Sequence, residues 1–208
     1  MLLEKENGLI MIKNIIIRLL LIFFLFNSNS NTSAIENPTS IGVEDAKVIV
    51  KVFSSLGCPH CAHFHRNIFK KLKNDYIDTK LVRFEHHSFP LDLQSLSAEK
   101  ILKCFDNNEK KFSFLHEIYE KQNSWYVGKD INTINSKISD IAKTYGMKSD
   151  KINNCLNNED LEEEILKNRI DANKKYSITS TPTIFINEKK YDGKYTYEDF
   201  KKAIEKFM

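Results

Sequence analysis

Val48-Ile49-Val50-Lys51-Val52-Phe53-Ser54-Ser55-Leu56-Gly57-Cys58-Pro59-His60-Cys61 is the stretch on which the fold turns. Its first six residues are β-branched or aromatic at almost every position, which suits a largely buried strand. Ser54 to Gly57 then reads as a turn. Pro59 suits the first turn of a helix, where its missing N–H costs nothing. Phe64, Ile68, Phe69 and Leu72 recur at helical spacing behind it. The segment therefore predicts strand, turn, two cysteines separated by two residues, and helix.

Working outward, Leu81 to Phe84 predicts a second strand that runs on through Glu85 and His86 toward Pro90. From Leu91 to Tyr176 the apolar spacing is helical throughout. Leu96, Ile101, Leu102 and Phe105 mark one helix, and Phe112, Leu115, Ile118 and Tyr119 another. Ile131, Ile134, Ile138 and Ile141 mark a third, stopped by Gly146, with shorter helices around 152–156 and 161–176. Strands return at Thr181-Pro182-Thr183-Ile184-Phe185-Ile186-Asn187 and at 189–192, followed by an amphipathic helix carrying Tyr197, Phe200, Ile204 and Phe207. The fold class is thus α/β, with an all-helical insertion at about 91–176 between two halves of one sheet.

The N-terminal residues have another character. Lys13 and Arg18 precede the apolar run Leu19 to Phe26, and a polar stretch of small residues leads to Ala34. This is the layout of a signal peptide over 1–34, with export to the periplasm as the expectation. An uncleaved inner-membrane anchor is the alternative, but Arg18 interrupts a run that would need about 20 apolar residues. Residues 35–40 read as a short linker and 41–208 as the domain. Of 208 residues, 41% are hydrophobic and 28% charged, and 31 Lys+Arg against 28 Asp+Glu leave a net charge of only +3. A dedicated nucleic-acid binder would concentrate basic charge, so that class is set aside.

Cys58 and Cys61 carry the chemistry. At a helix N-terminus, unpaired N–H groups and the macrodipole favour a thiolate at Cys58. His60 is expected to add a donor, and a positive charge when protonated, beside that sulfur. Cys61, one turn inside, should be more buried. Half a zinc site is the competing reading, but Cys104 and Cys155 do not form a second C-x-x-C pair. Haem attachment would need histidine where Ala62 stands. No metal site is expected, and no cofactor beyond the Cys58–Cys61 disulfide itself.

Taken together, Cys58-Pro59-His60-Cys61, Thr181-Pro182, the helical insertion between them and Glu85-His86-His87-Ser88-Phe89-Pro90-Leu91-Asp92 resemble the DsbA family of thiol:disulfide interchange proteins, its alphaproteobacterial members in particular. The resemblance covers 41–208. It implies the thioredoxin fold, a cis bond before Pro182, and a loop at Thr181 and Pro182 where an extended substrate peptide pairs through its backbone. It also implies unfolded exported polypeptides as clients and a DsbB-like, quinone-linked membrane oxidase as partner. Two positions depart from the family pattern. Where many family oxidases bury an acidic residue in the strand before the motif, this chain has Lys51. Thr181 stands where enteric-type oxidases usually carry valine, which resembles the isomerase branch.

Cys104 and Cys155 lie in the insertion. If their helices are neighbours, a disulfide would close a long loop and stabilise by roughly 3–5 kcal/mol; buried free thiols are the alternative. His86 and His87 read as a strand end reaching the surface, and His116 as a helix-face residue. The expectation is a monomeric oxidoreductase in which Cys58 is attacked first and Cys61 resolves the mixed disulfide. An isomerase or reductase on the same scaffold is the first alternative, and a non-enzymatic envelope chaperone or binding module the second.

Overall fold

In the computed structural model, which describes residues 38–208, Thr39–Ile41 forms an edge strand, β1, and Val48–Ser54 the central strand, β2. A helix, α1, runs over 59–77 and includes two π-type turns, His65–Phe69 and Lys73–Ile77. It leads to β3, Val82–Ser88. Six helices follow: α2 (Leu93–Lys103), α3 (Asn108–Glu120), α4 (Gln122–Trp125), α5 (Ile131–Thr144), α6 (Ser149–Leu156) and α7 (Glu159–Tyr176). The chain closes with β4 (Thr183–Ile186), β5 (Lys189–Lys190) and α8 (Tyr197–Glu205). The leader read at 1–34 and the start of the linker lie outside the described residues. Among the described residues, no helix is long and apolar enough to cross a membrane.

The strands pair in the order β1-β3-β2-β4-β5. β2 and β3 are parallel, joined by the α1 crossover, whereas β1, β4 and β5 pair antiparallel with their neighbours. This is the thioredoxin arrangement, and the six helices between β3 and β4 are the expected insertion. Thr39 and Ser40, read as linker, instead belong to β1, opposite His86 and Glu85. The strand was hidden because three residues after a proline carry too little periodicity to register.

Side-chain alternation along β2 sorts the core into two faces. Val48, Val50 and Val52 point into the main core with Phe64, Leu72, Phe84, Ile184 and Phe200. Phe53 points the other way, against Phe89, Ala172, Ile178 and Phe185 beneath α7. Each such buried aliphatic or aromatic side chain contributes roughly 1.5–3 kcal/mol. Ile101, Phe114, Ile118, Ile134 and Ile152 of the insertion belong to the same main core as the sheet. The insertion is therefore not a separate module. Cys104, at the C-terminal end of α2, is bonded to Cys155 of α6, with Cα atoms 6.4 Å apart.

His86 and His87 do not reach the surface. They are 2% and 5% exposed, because each imidazole finds a carboxylate inside the protein. His86 Nε2 lies 3.0 Å from Glu99 on α2, and His87 Nε2 lies 3.1 Å from Glu85. Ser88 Oγ donates to the second Glu99 oxygen at 2.8 Å. Buried polar groups are tolerated when they are hydrogen-bonded in this way.

Candidate active site

Cys58 occupies the N-cap of α1, with Pro59 at the first helical position and no acidic side chain in the first turn. The preceding loop is held from several sides. Cys58 N–H donates to Ser55 O at 3.1 Å, closing the turn. Gly57 N–H donates to Ser95 Oγ, and Ser55 Oγ donates to the same oxygen, both at 3.0 Å. Gln122 Nε2 donates to the carbonyls of Leu56 at 2.8 Å and Cys58 at 3.1 Å. Gly57 has no room for a side chain: a Cβ there would stand 2.5 Å from the Tyr126 ring and 2.6 Å from Ser95 Oγ. Tyr126 is itself fixed, donating to Asp92 Oδ2 at 2.6 Å. Asp92 in turn caps α2 by accepting from Ser95 N–H.

Across from the helix start, the Thr181–Pro182 peptide bond is cis. The Cys58 thiol donates to the Thr181 carbonyl at 3.3 Å. Cys58 is 8% exposed and Cys61 1%. Cys58 is thus nearly covered, since the Thr181 loop shields one side of it.

Both cysteines are free thiols, and their acidities are driven apart. Cys58 is brought down to about 5. The hydrogen bond from the Cys61 thiol is the largest cause, working against burial; the Thr181 hydroxyl and the N–H groups of Cys61 and His60 add to it. Burial pushes the Cys61 thiol well above its ordinary value, and its bond to Cys58 raises it further. The result is one sulfur that ionises readily and a buried neighbour that stays protonated and donates to it. Thr181 Oγ1 is buried with no other hydrogen-bond partner, which leaves it available to the Cys58 thiolate.

The backbone N–H of His60 supports the Cys58 thiolate. The ring is exposed and lines a pocket of about 510 Å³ with His63, Ser180, Thr181, Pro182 and Tyr195. Tyr195 closes one side by donating to Pro182 O at 2.9 Å. Lys51 pairs with Glu188 at the sheet. Among the described residues, no three His, Cys, Asp or Glu side chains converge as metal ligands would.

Sequence reading did not find Ser95, Gln122, Tyr126 or Tyr195. The first two are buried polar residues of helices. A sequence signal did exist for α2, where Ser95, Ser97, Glu99 and Lys100 accompany its apolar residues. That mixture leaves no clean solvent face, so some of these polar side chains had to point inward.

The thioredoxin family profile matches residues 34–206. Among solved structures, Wolbachia pipientis alpha-DsbA1 superposes with a TM-score of 0.75 at 30% identity, over 82% of this chain and 90% of that one. Disulfide bond formation protein D of Bacillus subtilis is 28% identical over 187 residues, which is 85% of this chain and 80% of that protein. A curated protein of Rickettsia bellii, named provisionally as a protein-disulfide oxidoreductase, is 29% identical over 172 residues; the match takes in 82% of this chain but only 64% of the relative's length. With a thioredoxin sheet, a helical insertion and a C-x-x-C pair facing a cis-proline, this chain belongs to the thioredoxin family, in its DsbA branch.

Proposed function

We propose that the chain is an exported thiol:disulfide oxidoreductase that passes the Cys58–Cys61 disulfide to unfolded polypeptides. The observation that carries this reading is the split acidity of the two sulfurs. At pH 7, a Cys58 value of about 5 against an ordinary 9.0 favours the dithiol by about 100-fold. For a two-electron couple that is about 60 mV toward a stronger oxidant.

The exchange balances in two steps. A client thiolate attacks Cys58 of the disulfide, forming the mixed disulfide and releasing Cys61, which takes up a proton. A second client thiolate then attacks the client sulfur and releases Cys58 as its stable thiolate. The client loses two electrons and the protein gains them. In the reverse direction Cys61 attacks the mixed disulfide, which is the resolving role assigned to it above. The Thr181 loop offers backbone for an extended client, a mode that reads few side chains and suits unrelated sequences. The leader pattern at 1–34 supports the periplasm as the site of action. The family resemblance implies a DsbB-like quinone-linked reoxidant, and the protein is taken to act as a monomer.

The test is the equilibrium potential of the pure protein against glutathione, with peptide oxidation by Cys58→Ser alongside. A value near about −120 mV supports the oxidant, while one near about −270 mV turns the reading to a reductase or isomerase. Undiminished activity in Cys58→Ser leaves only a binding module.

A further inference from the structure

Beside the dithiol, on the far side of the Thr181 loop, lies a second pocket of about 330 Å³ between α7 and the segment after β3. Its lining includes Phe89, Leu91, Arg169, Ile170 and Lys174, and it shares Ser180 with the pocket that holds His60 and Pro182. The two therefore adjoin at the residue next to Thr181. Leu91 and Ile170 are 52% and 50% exposed, an uncommon concession to water for two large apolar side chains so close together.

The charge in this pocket is one-sided. Arg169 and Lys174 line it and no carboxylate does. The Arg169 guanidinium lies over the Phe89 ring, its carbon 5.2 Å from the centroid. Its Nε is buried and has no hydrogen-bond partner, and no ion pair to Arg169 exists among the described residues. A guanidinium without an ion pair in such a pocket suits a planar carboxylate, which can accept from two of its N–H groups at once.

We infer that this pocket is a client subsite for an acidic side chain, aspartate or glutamate, within about two residues of the reacting cysteine. An extended strand advances about 3.3 Å per residue. A peptide lying along the Thr181 backbone therefore reaches the pocket almost at once as it leaves the dithiol. Leu91 and Ile170 would cover the stem of the acidic side chain while Arg169 and Lys174 take its charge. This rests on the oxidoreductase reading above and adds a sequence preference to a contact otherwise made through backbone.

The probes are short two-cysteine peptides with Glu, Gln or Lys one or two residues before or after the first cysteine. The ratio of oxidation rates is read for each protein, so differences in folded fraction cancel. The wild type is expected to favour Glu over Gln at one of these positions by about three- to tenfold at low salt, and less at high salt. Arg169→Gln should bring that ratio close to one, and Arg169→Glu should turn the preference to Lys. Lys174→Glu, a surface change that spares the packing on Phe89, should lower the ratio on its own. Equal rates for Glu and Gln in the wild type, or a Glu preference that survives Arg169→Glu, overturns the acidic subsite and leaves the oxidoreductase intact. Failure of the wild type to oxidise any of the peptides overturns the oxidoreductase reading, and the subsite with it.

Discussion

The acidity of Cys58 has two competing physical origins, the dipole and N–H groups of α1 and the thiol of Cys61, and replacing Cys61 separates them. The Cys61 thiol is the largest single contribution to lowering Cys58 to about 5. A hydrogen bond to a charged group is worth about 1.5–3 kcal/mol, and one pKa unit corresponds to about 1.4 kcal/mol. Cys61→Ala should therefore raise Cys58 by about one to two units, to between about 6 and 7. It should not restore the ordinary 9.0, because the Thr181 hydroxyl and the N–H groups of Cys61 and His60 remain. Cys61→Ser keeps a donor of similar reach and should stay closer to the parent. The assay is thiolate absorbance at 240 nm between pH 3 and 9, with alkylation rate by iodoacetamide as a second readout. A Cys61→Ala midpoint indistinguishable from the parent would place the effect in the helix terminus and refute the pairwise account. So would a Cys61→Ser shift as large as that of Cys61→Ala.

The same depressed acidity makes the stability of the dithiol form pH-dependent. Cys58 titrates at about 5 when folded against an ordinary 9.0, so the unfolded chain binds more protons in between. Stability from this group is fully present above the unfolded value and is lost as pH falls through 5. Urea unfolding should show the dithiol form losing about 3 kcal/mol between pH 7 and 4 beyond any change in the disulfide form, whose sulfurs do not titrate; parallel curves for the two forms would contradict it. Glu99→Ala should cost about 2–5 kcal/mol, since it strips the buried Ser88 hydroxyl and His86 ring of their common acceptor. Glu109→Ala, at an exposed position of α3, should cost under about 0.5 kcal/mol in the same denaturation measurement.

What could be read from sequence followed from how strongly each segment constrains its own geometry. β2 was legible because five of the six residues from Val48 to Phe53 are β-branched or aromatic, and α1 because Pro59 and the apolar spacing behind it agree. The insertion was legible because nothing between Leu91 and Tyr176 alternates as a strand does. β1 was not, because the pairing of Thr39–Ile41 with β3 is decided by a partner more than forty residues away. His86 and His87 were misplaced for a related reason. Polar residues read as exposed unless a partner is known, and Glu99 lies on a helix whose apolar stripe drew attention away from it. At the dithiol, the helix position of Cys58 could be read from Pro59. The cover from Thr181 and the supports from Ser95 and Gln122 depend on distant loops and helices meeting at one point.

The supports of the Gly57–Cys58 loop have a consequence for engineering. Ser95 and Gln122 sit on α2 and α4, so the inserted helices supply the scaffolding that a minimal thioredoxin scaffold lacks. Transplanting the four-residue motif alone into such a scaffold would move the sulfurs without their bracing, and the lowered pKa of Cys58 would not travel with the letters. Grafts that carry α2 and α4 together with the motif are the ones in which it should survive.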